Sequence, residues 1–145
     1  MIRFANIDDL EEIYRIYSER YDSHDAPSIK YIKSDWEWYL DNDRALIFVM
    51  TLKNNIVGVA FSYDMGLWGY LEHIVVAESH RGKGYGRKLL EYTFKYGCSL
   101  GWRLFESCYY EEVTQMRSFF EKTGWKDGGI STRWVYREKG KPKRK

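Results

Sequence analysis

The sequence predicts an α/β fold: a mixed, mostly antiparallel central sheet of about six to seven strands flanked by about four helices. Three observations carry this. A branched run, Ile74-Val75-Val76, leads into a glycine-rich stretch and then into apolar residues at helical spacing, Leu89, Leu90 and Phe94. With the two strand-like runs before it, the strand that ends in this run makes three joined by short connections, the pattern of an antiparallel meander. After it, Arg103 to Cys108 forms a strand reached across a helix, and so parallel to the one before.

In chain order, Ile2 to Ala5 alternate as a short strand, and Asp8-x-x-Glu11 reads as a capping box opening a helix whose buried stripe is Leu10, Ile13, Ile16 and Tyr17. Periodicity lapses from Glu19 to Lys33, where Ser23, Asp25, Pro27 and Ser28 mark a loop. Ser34 or Asp35 caps a second short helix with Trp36, Trp38, Tyr39 and Leu40, aromatics that at this spacing belong to a core before a ligand. Ala45 to Leu52 and Ile56 to Tyr63 are strands joined by a turn at Lys53-Asn54-Asn55, and Asp64 to Gly66 leads into the central strand, Trp68 to Ala77. The helix beyond the glycines ends near Gly97 or Gly101. Thr114 to Lys122 is a helix stopped by Gly124 at C′, with Trp125 at C″ placed to pack on Phe120 as a Schellman motif favours. Lys126 to Asp127 and Thr132 to Arg137 flank Gly128-Gly129 as a terminal hairpin. With 145 residues the chain suits one domain, expected over residues 1–137, with a basic, disordered tail over 138–145.

The glycine-rich stretch is the chemical signal. Gly82, Gly84 and Gly86 alternate with Lys83 and Tyr85 between Arg81 and the pair Arg87-Lys88, at the start of a helix. Glycines let backbone N–H groups approach a ligand, and the unpaired amides of a helix's first turn carry partial positive charge, so the place suits an anion, most naturally phosphate. Neither Gly82 nor Gly84 starts the G-x-x-x-x-G-K-[ST] of a P-loop, and a dinucleotide G-x-G-x-x-G fails because Arg87 stands at its third glycine.

What does fit is [Q/R]-x-x-G-x-[G/A], written here as Arg81-Gly82-Lys83-Gly84-Tyr85-Gly86. After a valine-rich strand it resembles the acyl-CoA loop of the GNAT superfamily of N-acetyltransferases. The segment Phe119-Phe120-Glu121-Lys122-Thr123-Gly124-Trp125 is similar to that family's ending of an aromatic pair, a glycine and an aromatic. The order β-α-α-β-β-β-α-β-α-β-β matches its arrangement across essentially the whole chain.

The resemblance implies an enzyme that transfers acetyl from acetyl-CoA, its co-substrate, directly to a primary amine, with no metal. It implies that the diphosphate lies on the amides of Gly82, Lys83, Gly84, Tyr85 and Gly86, assisted by Arg81, with Arg87 or Lys88 within reach. The pantetheine arm would pair like an added strand with Ile74, Val75 and Val76. Alternation along the central strand puts Tyr70, Glu72, Ile74 and Val76 on one face. In several branches of the family, residues on this face take the amine's proton. Glu72 is therefore the expected general base or ammonium binder, against the plainer reading of a rim glutamate paired with a Lys or Arg. His73 then reads as a packed side chain, His80 as exposed, and His24 as an ordinary loop residue. Phe120 stands where many members carry a tyrosine that protonates the CoA thiolate, and Val113 where an asparagine often opens the same helix. Phe120 is expected beside the thiol end of CoA, with Tyr109, Tyr110 or solvent as the acid.

Composition narrows the setting. A formal net charge of +2 exerts little pull toward nucleic acid as a whole. The end of the chain is different: Lys139-Gly140-Lys141-Pro142-Lys143-Arg144-Lys145 supports a rival reading, a nucleic-acid- or ribosome-associated binding protein on the same scaffold, or acetylation of an aminoacyl-tRNA or ribosomal amine. Cys98 and Cys108 form no metal or disulfide pattern. No apolar run suits a signal peptide or a membrane span, so a cytoplasmic protein without a membrane partner is expected. The expected acceptor is a small-molecule or peptide amine; Asp22, Asp25 and Asp127, in segments that border the pocket in this family, suit a small cationic one. A homodimer is left open.

Overall fold

The computed structural model describes residues 1–21, 36–107 and 114–129. They fall in two compact units, Met1–Cys108 and Tyr109–Lys145. The predicted strand at Thr132 to Arg137, the basic tail, and the segments holding Asp22, Asp25 and His24 lie outside the described residues.

In the first unit, β1 (Ile2–Phe4), β2 (Ala45–Leu52), β3 (Asn55–Asp64), β4 (Trp68–Val76) and β5 (Leu104–Ser107) form one sheet in the order β1-β2-β3-β4-β5. All neighbouring pairs are antiparallel except β4 with β5, which is parallel across the crossover helix, as its length requires. The β2–β3 hairpin is tighter than expected. Its loop is only Lys53 and Asn54, both at positive φ (48° and 68°), and Asn55 already pairs with Leu52. Two residues in this conformation match the twist of the strands they join.

Helix α1 (Leu10–Tyr21) and a helical turn over residues 36–40, here α2, contribute to a core on one face of the sheet. There Ile13, Ile16, Tyr17 and Trp36 pack with Ile47, Val49, Val59, Phe61 and Val75. Helix α3 (Tyr85–Leu100) covers the other face, where Leu89 meets Leu46, Phe48, Met50 and Ala60. Trp102 locks α3 to β4. A Cβ on Gly69 would lie 2.0 Å from its ring and one on Gly97 1.9 Å, while its indole N–H donates to Asp64 Oδ1 at 2.8 Å. Among the described residues no helix is long and apolar enough to cross a membrane.

Three expectations change. The capping box lies two residues earlier: Asn6 Oδ1 accepts from the Asp8 N–H at 2.9 Å, and Asp9 Oδ2 accepts from the Asn6 N–H at 2.8 Å, opening a short 3-10 turn (Ile7–Asp9) before α1. Arg3 decides the register, gripping both Asp9 oxygens at 2.7 and 2.8 Å and holding that carboxyl below its usual range. Helix α1 continues through Tyr21, past the expected end at Glu19. Five strands are described, and Lys126 to Asp127 is not one of them. Asp127 Oδ1 instead accepts from the Gly129 N–H at 2.8 Å, a local side-chain bond that competes with a ladder.

The second unit contains α4 (Thr114–Lys122), with the expected bounds. Gly124 sits at φ 87°, its N–H donating to the Glu121 carbonyl and that of Trp125 to the Phe120 carbonyl at 2.9 Å. The Trp125 and Phe120 rings meet at 4.7 Å, completing the Schellman motif.

Candidate active site

The central strand departs from simple alternation at the position that matters most. Phe61 of β3 pairs with His73, but the next residue, Ser62, pairs with Leu71, so Glu72 is an extra, bulged residue. The bulge flips the parity of the strand. Tyr70, opposite Tyr63, and His73, opposite Phe61, lie toward α1, whereas Leu71, Ile74 and Val76 lie toward α3. The expectation that Tyr70, Glu72, Ile74 and Val76 share one face is therefore corrected: a one-residue insertion exchanges the faces on either side of it.

Up to this place β4 is accompanied by the described part of β5. Its parallel ladder with β5 runs from Trp68–Leu104 to Leu71–Ser107, and the Ser107 hydroxyl donates to the Leu71 carbonyl at 3.0 Å. From Glu72 to Val76 β4 still pairs with β3 through His73, Ile74, Val75 and Val76, but among the described residues no strand flanks its other side.

The strand then runs through a 3-10 turn (Glu78–His80) into the glycine loop. Gly82 and Gly84 both have positive φ, 72° and 79°, and a Cβ built on either meets nothing within 4 Å. Gly84 is the N-cap of α3 and supplies no side-chain cap, so the first-turn amides are left to other partners. Room over the glycines and uncapped donors beside them fit a diphosphate. The basic side chains have separate duties. Arg81 Nε donates to the Val76 carbonyl at 2.9 Å, Lys83 Nζ to the Ser79 carbonyl at 3.2 Å, Arg87 pairs with Glu91 at 2.9 Å, and Lys88 lies 5.8 Å from the Tyr85 ring.

A polar stripe on α1 braces this region and was not anticipated from the sequence. Glu12 Oε2 accepts from the Ile56 N–H at 2.7 Å, Glu19 Oε2 from the Glu78 N–H at 2.8 Å, and Arg15 pairs with Glu19 at 2.9 Å. Glu12 and Glu19 are seven apart, which puts them on one helix face; that spacing was the available signal.

Beside Glu72, the His73 imidazole packs edge-on to Tyr17 at 5.5 Å and near Phe61 at 6.2 Å, with Nε2 3.9 Å from Glu72 Oε1. Burial pushes its pKa down from 6.5 to about 4.

Residues 10–125 match the acetyltransferase (GNAT) family. The chain belongs to the GNAT acetyltransferases. As a GNAT it is an acetyl-CoA-dependent N-acetyltransferase by class. It is 28% identical over 106 residues to an uncharacterized N-acetyltransferase of Archaeoglobus fulgidus, covering 66% of this chain and 71% of that one. Among solved structures it resembles a tetramutant of the BH1408 protein from Bacillus halodurans (TM-score 0.83, 16% identity, 94% of this chain and 99% of that one). It also resembles AAC(6')-Iy in complex with the bisubstrate analogue CoA-S-monomethyl-acetylneamine (TM-score 0.78, 20% identity, 94% and 97%). These likenesses concern the fold. Within this GNAT chain the first unit brings Glu72, Ile74, Val75, Val76 and the segment Arg81–Arg87 onto one strand–loop–helix unit. Phe120 belongs to the second unit, and Tyr109 and Tyr110 lie outside the described residues.

Proposed function

We propose that this GNAT binds acetyl-CoA along the second half of β4, Glu72–Val76, and the loop after it, and transfers the acetyl group directly to a primary amine. The observation that carries the reading is the glycine loop that follows β4, with room over Gly82 and Gly84 and an uncapped first turn of α3 beside it. On this reading the backbone of Ile74, Val75 and Val76 receives the pantetheine arm. The amides of Gly82, Lys83, Gly84, Tyr85 and Gly86 receive the diphosphate, and Arg81 and Arg87 add charge at its rim. Arg81 also fixes the exit of the strand through the Val76 carbonyl.

The amine nitrogen attacks the thioester carbonyl, forming the C–N bond; as the C–S bond breaks, sulfur leaves as thiolate and the amine loses a proton. Glu72, at the bulge where the two halves of β4 meet, accepts that proton directly or through a water. Tyr109, Tyr110 or a water returns one to sulfur; Phe120 has no proton to give. The catalytic domain spans residues 1–137 and works in the cytoplasm. Support for an amine acceptor comes from relatives by fold: AAC(6')-Iy is an aminoglycoside N-acetyltransferase, and a ribosomal-protein-alanine N-acetyltransferase from Brucella melitensis shares the fold at TM-score 0.75.

The deciding experiment follows thiol release from acetyl-CoA across aminoglycosides, polyamines, amino acids, amino sugars, peptides with free N-termini and aminoacyl-tRNA. Turnover of one class identifies the acceptor. Calorimetric binding of acetyl-CoA with no turnover on any class would overturn transfer while keeping the binding site.

A further inference from the structure

Two titratable side chains follow one another at the β4 bulge, and the reaction above uses only Glu72. In a regular strand, neighbours point to opposite faces. Here the bulge brings the Glu72 carboxylate to 3.9 Å from His73 Nε2, while the imidazole is held by Tyr17 of α1 and Phe61 of β3. A held ring beside a longer, more exposed carboxylate is an arrangement for orienting the carboxylate.

We propose that His73 is a positioning residue for Glu72: its ring, fixed between Tyr17 and Phe61, turns Nε2–H toward the carboxylate and holds it where the incoming amine must pass. This rests on the reading of Glu72 as the group that handles the amine. The groups described around the imidazole include the titratable Glu72 carboxylate from its own strand and the Tyr17 ring from α1, beside the uncharged Phe61 ring of β3. The separation exceeds a direct hydrogen bond and is closed by a small side-chain rotation or one bridging water. Because burial lowers the imidazole's pKa to about 4, the ring is neutral near pH 7. A neutral ring donates to the carboxylate without cancelling its charge, whereas an imidazolium would compete with a substrate ammonium for it.

The test begins without any acceptor. In full-length protein labelled with 15N-histidine, His73 is expected as the Nε2–H tautomer, with population moving toward Nδ1–H in Glu72→Ala. Ring nitrogen shifts indifferent to Glu72→Ala overturn the contact. Kinetics then use the amine identified by thiol release. His73→Phe, which keeps a ring among rings, should lower kcat/KM about tenfold with acetyl-CoA affinity unchanged, and should cost nothing more in a Glu72→Ala background. His73→Gln, which restores an N–H near Nε2, should recover most of the loss. An equal loss from His73→Phe in both backgrounds marks packing and overturns the proposal. A loss in Glu72→Ala with none in His73→Phe leaves Glu72 in its role and overturns the positioning alone. Silence in both removes the role of Glu72, and the proposal falls with it.

Discussion

The two halves of β4 contain glycine in or beside them for opposite reasons. In Trp68–Leu71, flanked by β3 and β5, Gly69 is needed because the Trp102 ring leaves no space for a Cβ, and Gly97 of α3 faces the same ring from the other side. Beyond Glu72–Val76, which pairs with β3, Gly82 and Gly84 sit in open space and are needed for their positive φ. The first pair serves close packing and the second serves conformation and access. Substitutions in the closed half should therefore change stability and leave ligand binding alone, and those at the open glycines should act on ligand binding.

Gly84→Glu should break the glycine loop most completely. It puts a side chain at φ 79° and a carboxylate where a diphosphate is expected, so acetyl-CoA binding should fall below calorimetric detection in a folded protein. Wild-type affinity would mean that the loop has another use. Next in size, Glu72→Gln removes the charge at the junction with little change of shape, and turnover should drop by about 100- to 10,000-fold while acetyl-CoA affinity persists.

The pH dependence of stability probes His73 of the second half by a different route. His73 has a lower pKa folded than unfolded, so the unfolded chain takes up the extra proton first. Stability should fall as pH drops from about 6.5 to about 4, by at most about 3 kcal/mol. Urea melts at pH 7 and 4.5 measure this, and His73→Phe should flatten the slope. Asp9, whose pKa is lowered by Arg3, acts in a lower window: its stabilisation is present above the ordinary carboxylate pKa and is lost as pH falls through the folded value. Smallest is Gly97→Ala in the packing under Trp102, expected to cost about 1–3 kcal/mol by overpacking, with no change in acetyl-CoA affinity. A neutral result in melts would show that the indole can slide aside.

Much of this was legible from local rules. The meander, the parallel crossover, the bounds of α4 and the Gly124–Trp125 ending follow from periodicity and glycine placement, signals contained within a few residues. The bulge was not legible, because an extra residue is defined by the register of the partner strand; nothing within Tyr70 to Val76 distinguishes Glu72 as the odd one out. The capping box shifted because Asn6 and Asp8 are both good caps, and the choice rests with Arg3 in another element. The bonds from Glu12 to Ile56 and from Glu19 to Glu78 link elements far apart in the chain. Their spacing was visible, but not their targets.

Helix α3 begins at a residue with no side chain to close its first turn, and a glycine there leaves a helix about a few tenths of a kcal/mol short of a side-chain cap. An anion seated on those amides supplies the missing cap from outside the chain. Occupancy and the integrity of the first turn then become linked: whatever frays the turn weakens the ligand, and the ligand slows deuterium uptake at the amides of the turn. On the proposed binding mode the crossover helix becomes a built-in gauge of acetyl-CoA loading, readable by exchange mass spectrometry before any acceptor is known.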